Sequence, residues 1–489
     1  MSKLKKLAGD TVIYGLSTIL GRLINWLLMP FYIRTLDKVE FGGVVNIYSY
    51  IAVILVILTL GFETGYFRFV KEHRRQVLLK NLGTVITSLS LLFVVLVYMF
   101  KSPITDVLGD EYLRADYFLI AAAIVALDAI TSIPFADLRI QNRTIRYASL
   151  KFISVILNVG FNVFFLVICP YLLKEGYDII EVIFDPKNKL YYVFVSNLLS
   201  SLIISFFLIP TMFFVKASFD LKLIKKVLKY SLPIMVVGLF GMLIQNSDKI
   251  LMVHLIDTDF MDPMEALGIY GANYKIGILM ALFIQSYRLA FEPFFFKEGK
   301  EKASKDLYAR ILKYFVIFGC IIYVGVLVFI DVVNILLLPE YYEGNVIIPF
   351  ILMGQLFFGI YYSLSLWYKL TDRTNYGALI SGLGAILVII GNVVLVPIIG
   401  YLGAAISSLC CFFIMTLISY ILGQKYYPID YPLTRIIIHI VAAILIVYVS
   451  NLFRSDSLLF HYAIKGTIFV SYFAFLYIIE RKEFIKILS

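Results

Sequence analysis

The sequence predicts an all-α membrane protein that crosses the bilayer about fourteen times. Of its 489 residues, 61% are hydrophobic and only 16% are charged, and the mean hydropathy is +0.90. A soluble domain carries about 25% charged residues, so this composition excludes one. The apolar segments are about 20 residues long, the length a helix needs to cross the hydrocarbon core. They are continuous rather than alternating, which argues against a transmembrane barrel.

Hydropathy places these spans along the whole chain, separated by short loops. They cover residues 11–35, 42–66, 81–100, 117–136, 149–169, 190–214, 231–256, 268–296, 311–332, 345–367, 376–397, 400–422, 434–452 and 460–479. The first is basic and then apolar, but it is too long for a signal peptide and is interpreted as a mature helix. The loops leave no room for a folded domain outside the membrane.

Lys and Arg alternate from loop to loop. The loops after spans 2, 4, 6 and 8 are basic, and the first of them contains Lys71, Arg74, Arg75 and Lys80. The loops between them are poor in Lys and Arg and often acidic, as at Asp106, Asp110, Glu111 and Asp116. This positive-inside pattern predicts that both termini are cytoplasmic. Basic loops facing an anionic leaflet also account for the net charge of +10 without a nucleic-acid partner.

Short sequence matches indicate an internal duplication. Phe69-Val70-Lys71-Glu72 is followed by Phe295-Phe296-Lys297-Glu298 at an offset of 226 residues. Arg143-Thr144 and Asn162-Val163 recur as Arg373-Thr374 and Asn392-Val393 at an offset of 230. Repeats in the same orientation build the two lobes of several transporters. The sequence therefore predicts an N-lobe in residues 1–220 (spans 1–6), a C-lobe in 221–428 (spans 7–12), and spans 13–14 in 429–489.

Ionisable residues within the spans are the candidate functional residues, because a charge there is costly. The basic ones, predicted to line a substrate cavity, are Arg22, Lys249, Lys275 and Arg288. The acidic ones, candidate coupling groups or charge partners, are Glu63, Asp128, Asp248 and Glu292. A basic excess suits an anionic substrate, since Arg can bind phosphate through two parallel hydrogen bonds.

Each of these residues also has a structural interpretation. Lys249 and Lys275 could extend to the outer surface, and Arg288 could form an ion pair with Glu292 one helical turn away. Asp248 and Lys249 are adjacent, which predicts that they face different directions and have separate partners. Arg22 lies about 15 Å from either surface, with no acid one turn away in its own span, which favours a cavity position.

The sequence offers no signature of catalysis, cofactor or metal binding. It has no phosphate-binding glycine loop and no catalytic triad pattern. Its cysteines and histidines do not have ligand spacing: Cys169, Cys320, Cys410, Cys411, His73, His254, His439 and His461. We therefore expect a transporter rather than an enzyme, without cofactor or metal, driven by an ion gradient, the membrane potential or the substrate gradient.

Two stretches carry a family resemblance. The opening Gly21-Arg22-Leu23…Met29-Pro30-Phe31-Tyr32 and the later Asn392-Val393…Pro397…Gly400…Gly403-Ala404-Ala405 resemble the polysaccharide-biosynthesis flippases. These flippases belong to the multidrug/oligosaccharidyl-lipid/polysaccharide (MOP) exporter superfamily. The resemblance covers essentially the whole chain. It implies two six-helix, MATE-like lobes around a V-shaped cavity, and two further C-terminal helices.

The resemblance also implies a function. It predicts a flippase that moves an undecaprenyl-diphosphate-linked oligosaccharide across the bacterial cytoplasmic membrane by alternating access, for surface polysaccharide biosynthesis. Arg22 matches the first-span arginine of the related peptidoglycan-precursor flippases. Expected partners are the lipid-linked oligosaccharide, membrane lipids, a Na⁺ or H⁺ coupling ion, and the polysaccharide polymerase and glycosyltransferases.

Two other functions remain open at this point. A cation-coupled multidrug exporter of the same fold would use acidic cavity residues, which Glu63, Asp128 and Asp248 could supply, although the basic excess counts against it. A membrane enzyme, such as a polymerase or acyltransferase, would need a large outer loop or an embedded histidine. The outer loops of this sequence are short, and its histidines are interpreted as peripheral, which counts against an enzyme.

Overall fold

The computed structural model describes residues 23–24, 26–108, 113–259, 261–298, 303–453 and 457–488. Within the last three of these ranges, the side chains at 289–290, 292–298, 303–304 and 482–488 are not described. The described part of the chain is helical and contains no β-strand. Arg22 lies outside the described residues.

The predicted spans correspond to helices in order. They are α1 (26–35), α2 (Lys38–Phe69), α3 (Arg75–Met99), α4 (Ala115–Ile140), α5 (Thr144–Lys174), α6 (Lys189–Phe213), α7 (Leu221–Leu255), α8 (Pro263–Ile276 and Ile278–Arg288), α9 (Lys305–Val328), α10 (Pro339–Leu370), α11 (Asn375–Ile399), α12 (Tyr401–Tyr426), α13 (Leu433–Leu452) and α14 (Leu458–Arg481).

The all-helical membrane fold is confirmed. Among the described residues, 12 helices are long and apolar enough to cross a membrane, or 13 if the two parts of α8, bent by 44°, form one span. The predicted count of about fourteen therefore holds approximately, since most of the first predicted span lies outside the described residues. The protein is a multi-pass membrane protein.

Helix α2 begins at a capping box and bends at a glycine. The Asp37 side chain accepts a hydrogen bond from the backbone N–H of Glu40 (2.7 Å), and the Glu40 carboxylate accepts one from the N–H of Asp37 (3.2 Å). Gly61 has φ +64°, and a Cβ there would lie 2.7 Å from the carbonyl oxygen of Ser231 in α7. Only glycine fits this conformation at this distance, and the bend places Glu63 at the start of the following helical segment.

The duplicated motif forms the same turn in both halves. Asn142 and Asp372 both have left-handed backbones, with φ of 52° and 56°. The following arginines donate backbone hydrogen bonds to equivalent carbonyls, Arg143 to Leu138 (3.0 Å) and Arg373 to Tyr368 (2.7 Å). The repeated sequence therefore specifies one helix–turn–helix connection twice.

The chain divides into two compact units. Unit 1 comprises Met1–Gly271 and Asn392–Tyr401, and unit 2 comprises Ala272–Gly391 and Leu402–Ser489. The predicted boundaries at 220/221 and 428/429 concern which helices move together. Packing in one conformation does not test them, so they stay predictions.

In unit 1, α2 crosses α8 at two glycines. A Cβ at Gly42 would lie 2.0 Å from the carbonyl oxygen of Met264, and a Cβ at Gly268 would lie 2.1 Å from that of Lys38. Beside this crossing, the Lys38 ammonium forms an ion pair with Glu265 at 2.9 Å. The two backbones therefore approach more closely than any residue with a side chain would allow.

In unit 2, charged clusters hold α14 against α9 at both ends. Near the start of α9, Lys313 contacts Glu480 at 2.5 Å, and both side chains are only 1% exposed. Just after α9, Asp331 accepts hydrogen bonds from Lys465 and from His461, the latter at 3.0 Å. The order of charge is positive then negative along α9, and positive then negative along α14. Only an antiparallel arrangement pairs them, so the two clusters specify the orientation of α14.

Candidate functional site

Unit 1 contains a polar cavity of about 420 Å³ between α2, α4, α5 and α6. This volume is within the range of about 300–1,000 Å³ that is typical of ligand pockets. Four ionisable side chains line it: Glu63, Asp128, Arg139 and Lys151. Other polar side chains complete the wall: Thr59, Thr131, Ser132, Tyr147, Ser154, Asn197 and Ser201. A cavity of this composition within apolar helices is a candidate site for a polar ligand.

The Asp128 carboxylate lies deep in the cavity. Asp128 is near the middle of α4, about 18 Å along the helix axis from its end at Ile140. Its carboxylate accepts a hydrogen bond from the Ser201 hydroxyl of α6 at 3.0 Å. One turn earlier on α6, the Asn197 amide donates to the Tyr48 hydroxyl at 2.8 Å, which ties α6 to α2. Asp128 therefore has a fixed position and keeps acceptor capacity for a ligand.

Lys151 of α5 supplies a cation to the cavity. It lies about 10 Å into α5 from Thr144. Its ammonium is 4.1 Å from the centroid of the Phe135 ring, a cation–π contact that positions it without neutralising its charge. The Asp128 and Lys151 side chains face the same cavity but form no direct ion pair. Both charges are thus available to one ligand.

The other two charged residues of the cavity, Arg139 and Glu63, form a direct ion pair. The Arg139 guanidinium contacts the Glu63 carboxylate at 2.5 Å, and it also lies 4.8 Å from the centroid of the Phe67 ring. The side chains of Arg139 and Glu63 are 43% and 48% exposed. They lie near the helix ends that the loop charges predict to be cytoplasmic. This pair borders the cavity toward that side.

A buried cluster next to the cavity fixes its helices. The Asp137 carboxylate accepts hydrogen bonds from the Tyr66 hydroxyl (2.6 Å), the Arg75 guanidinium (2.7 Å) and the Gln141 amide (2.6 Å). Asp137 is 4% exposed and Tyr66 is fully buried. The cluster joins α2, α3 and α4, so its role is to hold the cavity walls rather than to contact a ligand.

Sequence reasoning found Glu63 and Asp128 but not Lys151, Arg139 or Asp137 as parts of a site. Arg139 lies just after predicted span 4 and Lys151 just inside predicted span 5, beside a loop that is basic, and hydropathy averages hide a charge near a span end. A signal was present in α5, where Tyr147, Lys151 and Ser154 follow at helical spacing and share one face. No group of three or more His, Cys, Asp or Glu residues suited to a metal ion occurs in the described ranges.

The structure pairs Asp248 with Lys249, contrary to the expectation that adjacent residues need separate partners. The Lys249 ammonium lies 3.0 Å from both carboxylate oxygens of Asp248, because the long side chain folds back along the helix. The Tyr270 hydroxyl also donates to Asp248 at 2.5 Å, and the Lys249 ammonium donates to the carbonyl of Gln245 at 2.8 Å. The side chains of Lys249 and Asp248 are 9% and 1% exposed. In this structure the pair is a buried neutral unit.

Three other predicted residues, Lys275, Arg288 and Glu292, belong to unit 2. The Arg288 side chain is exposed, and its guanidinium stacks 4.0 Å from the centroid of the Tyr362 ring. Lys275 is half-buried and lies two residues before the α8 bend at Gly277. The Glu292 side chain is outside the described side chains, so the Arg288–Glu292 pair stays a prediction. A shared cavity of Arg22, Lys249, Lys275 and Arg288 likewise stays a prediction.

Solved structures of similar fold are transporters and flippases. The structure is similar to a lipid II flippase, MurJ, in an inward closed conformation, with a TM-score of 0.73, 15% identity, and coverage of 97% of this chain and 99% of that chain. It is also similar to a MATE family multidrug resistance transporter of the MOP superfamily in an inward-facing conformation (TM-score 0.65, 12% identity, 83% and 94% coverage). A mutant of the Vibrio cholerae MATE transporter VcmN gives a TM-score of 0.53 at 13% identity, with 86% and 96% coverage. At these identities the likeness shows the fold.

Sequence comparison supplies the family. No curated protein matches the chain. The family model described as "Polysaccharide biosynthesis protein" matches residues 7–298, which is more than half of the chain. The chain therefore belongs to the polysaccharide biosynthesis protein family and has the fold of the MOP superfamily flippases and transporters.

Proposed function

We propose that this protein is a flippase for an undecaprenyl-diphosphate-linked oligosaccharide, working by alternating access in the bacterial cytoplasmic membrane. Membership of the polysaccharide biosynthesis family supports a glycan substrate. The MurJ-like fold supports a lipid-linked one, since that protein is a lipid II flippase. The protein has the fold of a transporter, and we propose no catalytic role.

The observation that carries this proposal is the polar cavity of unit 1. Its hydroxyl, amide and carboxylate groups, among them Ser154, Asn197 and Asp128, can exchange hydrogen bonds with sugar hydroxyls. Lys151, which forms no ion pair with Asp128, can attract the diphosphate. The polyprenyl tail has no such requirement and stays in the bilayer. We propose that Arg22, Lys249, Lys275 and Arg288 contribute further positive charge at other stages of transport.

Alternating access needs contacts that break when the site changes sides. Candidates in unit 1 are the Gly42–Gly268 crossing, the Lys38–Glu265 ion pair, and the hydrogen bond from the Asn46 amide to the carbonyl of Lys249 (3.2 Å). They lie at the ends of α2, α7 and α8 that the loop charges predict to be outside. The cavity borders the opposite ends. This arrangement supports a site that receives its ligand from the cytoplasm while the outer side is sealed.

Leaflet-resolved lipid analysis in the protein's own host tests the proposal. After depletion, undecaprenyl-diphosphate oligosaccharides are extracted and labelled with a membrane-impermeant sugar probe. We expect a complete oligosaccharide to accumulate and to stay inaccessible from the periplasmic side. An unchanged pool with unchanged sidedness, in a host without a second flippase, would refute the proposed substrate.

Point variants connect this assay to the cavity. Lys151→Gln should reduce export about tenfold or more, since a hydrogen bond to a charged group contributes ~1.5–3 kcal/mol. Arg146→Gln is the matched control, because Arg146 is an exposed cation on the same helix that does not line the cavity. If the two variants export equally well, the cavity is not part of the transport path.

Arg22→Ala should abolish export at normal protein level, and Arg22→Lys should be partly active because a bidentate contact is lost.

One observation favours a second function, cation-coupled multidrug export. Asp128 lies in the cavity without an ion pair to Lys151, so its carboxylate could attract a cationic drug or bind a coupling cation. In that case Asp128→Asn would remove drug resistance and leave the lipid-linked pool unchanged. For the flippase, we propose Na⁺ or H⁺ coupling through Asp128, Glu63, Asp248 or Glu292. We propose the polysaccharide polymerase and glycosyltransferases as protein partners. We also propose that both termini are cytoplasmic.

A further inference from the structure

In unit 2, the arginine of the duplicated Arg-Thr turn stacks on an aromatic ring, that of Tyr426, which we call the platform. Arg373 lies in the turn between α10 and α11, and its side chain is exposed. Its guanidinium carbon is 4.2 Å from the centroid of the Tyr426 ring at the end of α12. The equivalent Arg143 of unit 1 is also exposed, and no ring contact positions it within the described residues. The two copies of the turn therefore differ in how their arginine is held.

The platform itself is rigid. The Tyr426 ring stacks on the Trp367 ring, with centroids 5.5 Å apart and planes at 21°. The Tyr426 and Tyr376 hydroxyls share a hydrogen bond of 2.7 Å. Trp367 is 3% exposed, so this support belongs to the core of unit 2. Tyr426 thus presents a fixed face to the Arg373 guanidinium.

Stacking leaves the hydrogen-bonding edge of the guanidinium available. The Arg373 side chain forms no hydrogen bond or ion pair with the part of the chain that the structure describes. A planar guanidinium held against a ring keeps its five N–H donors in a fixed fork, which matches two phosphate oxygens. Because the stacking already restricts the Arg373 side chain, binding a phosphate costs little further side-chain entropy.

The surrounding charge is positive overall. The Lys425 ammonium lies 5.5 Å from the same Tyr426 centroid, and Lys369 lies one turn before Arg373, with its ammonium 5.0 Å from the Tyr362 centroid. The acid in the turn is Asp372, which is exposed. Two cations, Arg373 and Lys425, thus lie against the same Tyr426 ring, which favours an anion.

An apolar surface begins next to these charges. The side chains of Leu379 and Leu383 on α11, and of Leu417 and Ile421 on α12, are 46–62% exposed. The two helices pack together, as shown by the contact of the Cys411 thiol with the Gly384 carbonyl at 3.2 Å. Exposed apolar side chains on membrane-spanning helices are suited to contact with acyl chains, which are as apolar as leucine. The ligand that fits both features carries a phosphate at the membrane surface and a hydrocarbon chain beside α11 and α12.

We propose that Arg373, with Lys425, binds the phosphate of an anionic membrane phospholipid at the end of unit 2 that is predicted to be cytoplasmic. The site shares no residue with the lining of the unit 1 cavity and does not depend on the proposed substrate. Basic pockets between membrane helices on the cytoplasmic side are suited to anionic lipid headgroups.

Lipid retention by the purified full-length protein tests this site. The protein is exchanged into nanodiscs of phosphatidylcholine with a minor fraction of phosphatidylglycerol, extracted in mild detergent, and its bound lipid is quantified by mass spectrometry. We expect the wild type and Arg143→Gln to be enriched in phosphatidylglycerol to the same degree. In Arg373→Gln, the enrichment in phosphatidylglycerol should be about fivefold lower than in the wild type.

Further arms identify the ligand and guard against misfolding. Arg373→Lys keeps the charge but loses the planar stack, so we expect intermediate retention, and both variants must elute as monodisperse protein. Equal enrichment in Arg373→Gln and the wild type would overturn the proposal. An equal loss in Arg143→Gln would also overturn it, because the effect would then be general to basic turns. Displacement of phosphatidylglycerol by equimolar undecaprenyl diphosphate would assign the site to the substrate headgroup instead of a phospholipid.

Discussion

Removal of the Glu480 carboxylate should destabilise unit 2 severely. Glu480 contacts the Lys313 ammonium at 2.5 Å, the His439 ring at 3.1 Å and the Arg435 guanidinium at 3.2 Å. The side chains of Glu480 and Lys313 are 1% exposed, and that of His439 is fully buried. Glu480 therefore joins α9, α13 and α14 through a cluster of ion pairs and hydrogen bonds.

The expected magnitude follows from the buried ion pair that is broken. Glu480→Gln removes one member of the buried Lys313–Glu480 pair, and breaking a buried pair in this way costs ~3–5 kcal/mol. Because ~1.4 kcal/mol changes an equilibrium tenfold, the folded-to-unfolded ratio should fall by more than about 100-fold. Glu72→Gln is the matched control. Glu72 pairs with Arg68 (2.7 Å) and Lys226 (3.2 Å), but it is 38% exposed and screened by solvent, so its loss should change the unfolding midpoint little.

The assay is unfolding of the purified protein in mixed micelles of increasing denaturing detergent, followed by loss of helical circular dichroism. A midpoint for Glu480→Gln equal to that of Glu72→Gln would refute the reasoning. The double variant Lys313→Met/Glu480→Leu separates charge from packing. It removes both members of the buried pair, so most of the lost stability should return. If it is as unstable as the single variant, breaking the Lys313–Glu480 pair is not the cause.

Two further predictions concern stability. A Cβ at Gly268 would lie 2.1 Å from a backbone oxygen of α2, so Gly268→Ala should cost ~1–3 kcal/mol in the same unfolding assay. Gly241→Ala, where a Cβ meets open space, should cost nothing or stabilise slightly. Partial burial raises the pKa of Asp331, but hydrogen bonds from Lys465 and His461 outweigh this and hold the pKa below its usual value. The resulting stabilisation is present above about pH 4 and lost as the pH falls through the lower folded pKa; Asp331→Asn should remove that acid-dependent loss from the unfolding midpoint.

The helices could be predicted from the sequence because the membrane imposes their length. A span needs about 20 apolar residues, and every backbone group must be bonded within it, so hydropathy alone locates it. Predicted span 42–66 lies within α2 (Lys38–Phe69), and predicted span 434–452 almost equals α13 (Leu433–Leu452). The capped ends extend beyond the apolar core because polar residues such as Asp37 begin the helix outside it.

Charge partners could not be predicted in the same way. Lys313 and Glu480 are 167 residues apart, and only the packing of α14 on α9 brings them together. Asp248 and Lys249 show the opposite case, since adjacency argued against a pair that side-chain flexibility allows. Hydropathy reports how many charges a span carries. It does not report whether a neighbouring helix supplies a counterion, which is a property of tertiary packing.

The distinction between paired and open charges ranks the candidate residues. The Lys249 ammonium already has the Asp248 carboxylate at 3.0 Å, and their side chains are no more than 9% exposed. A phosphate could bind there only by displacing that partner and desolvating the site again, which opposes binding. The Lys151 ammonium faces the polar cavity against the Phe135 ring and forms no ion pair with Asp128, so a ligand phosphate would add a favourable contact without breaking one. Lys151 is therefore a stronger candidate for substrate binding than Lys249, and a larger loss of export in Lys151→Gln than in Lys249→Gln at equal protein level would bear this out.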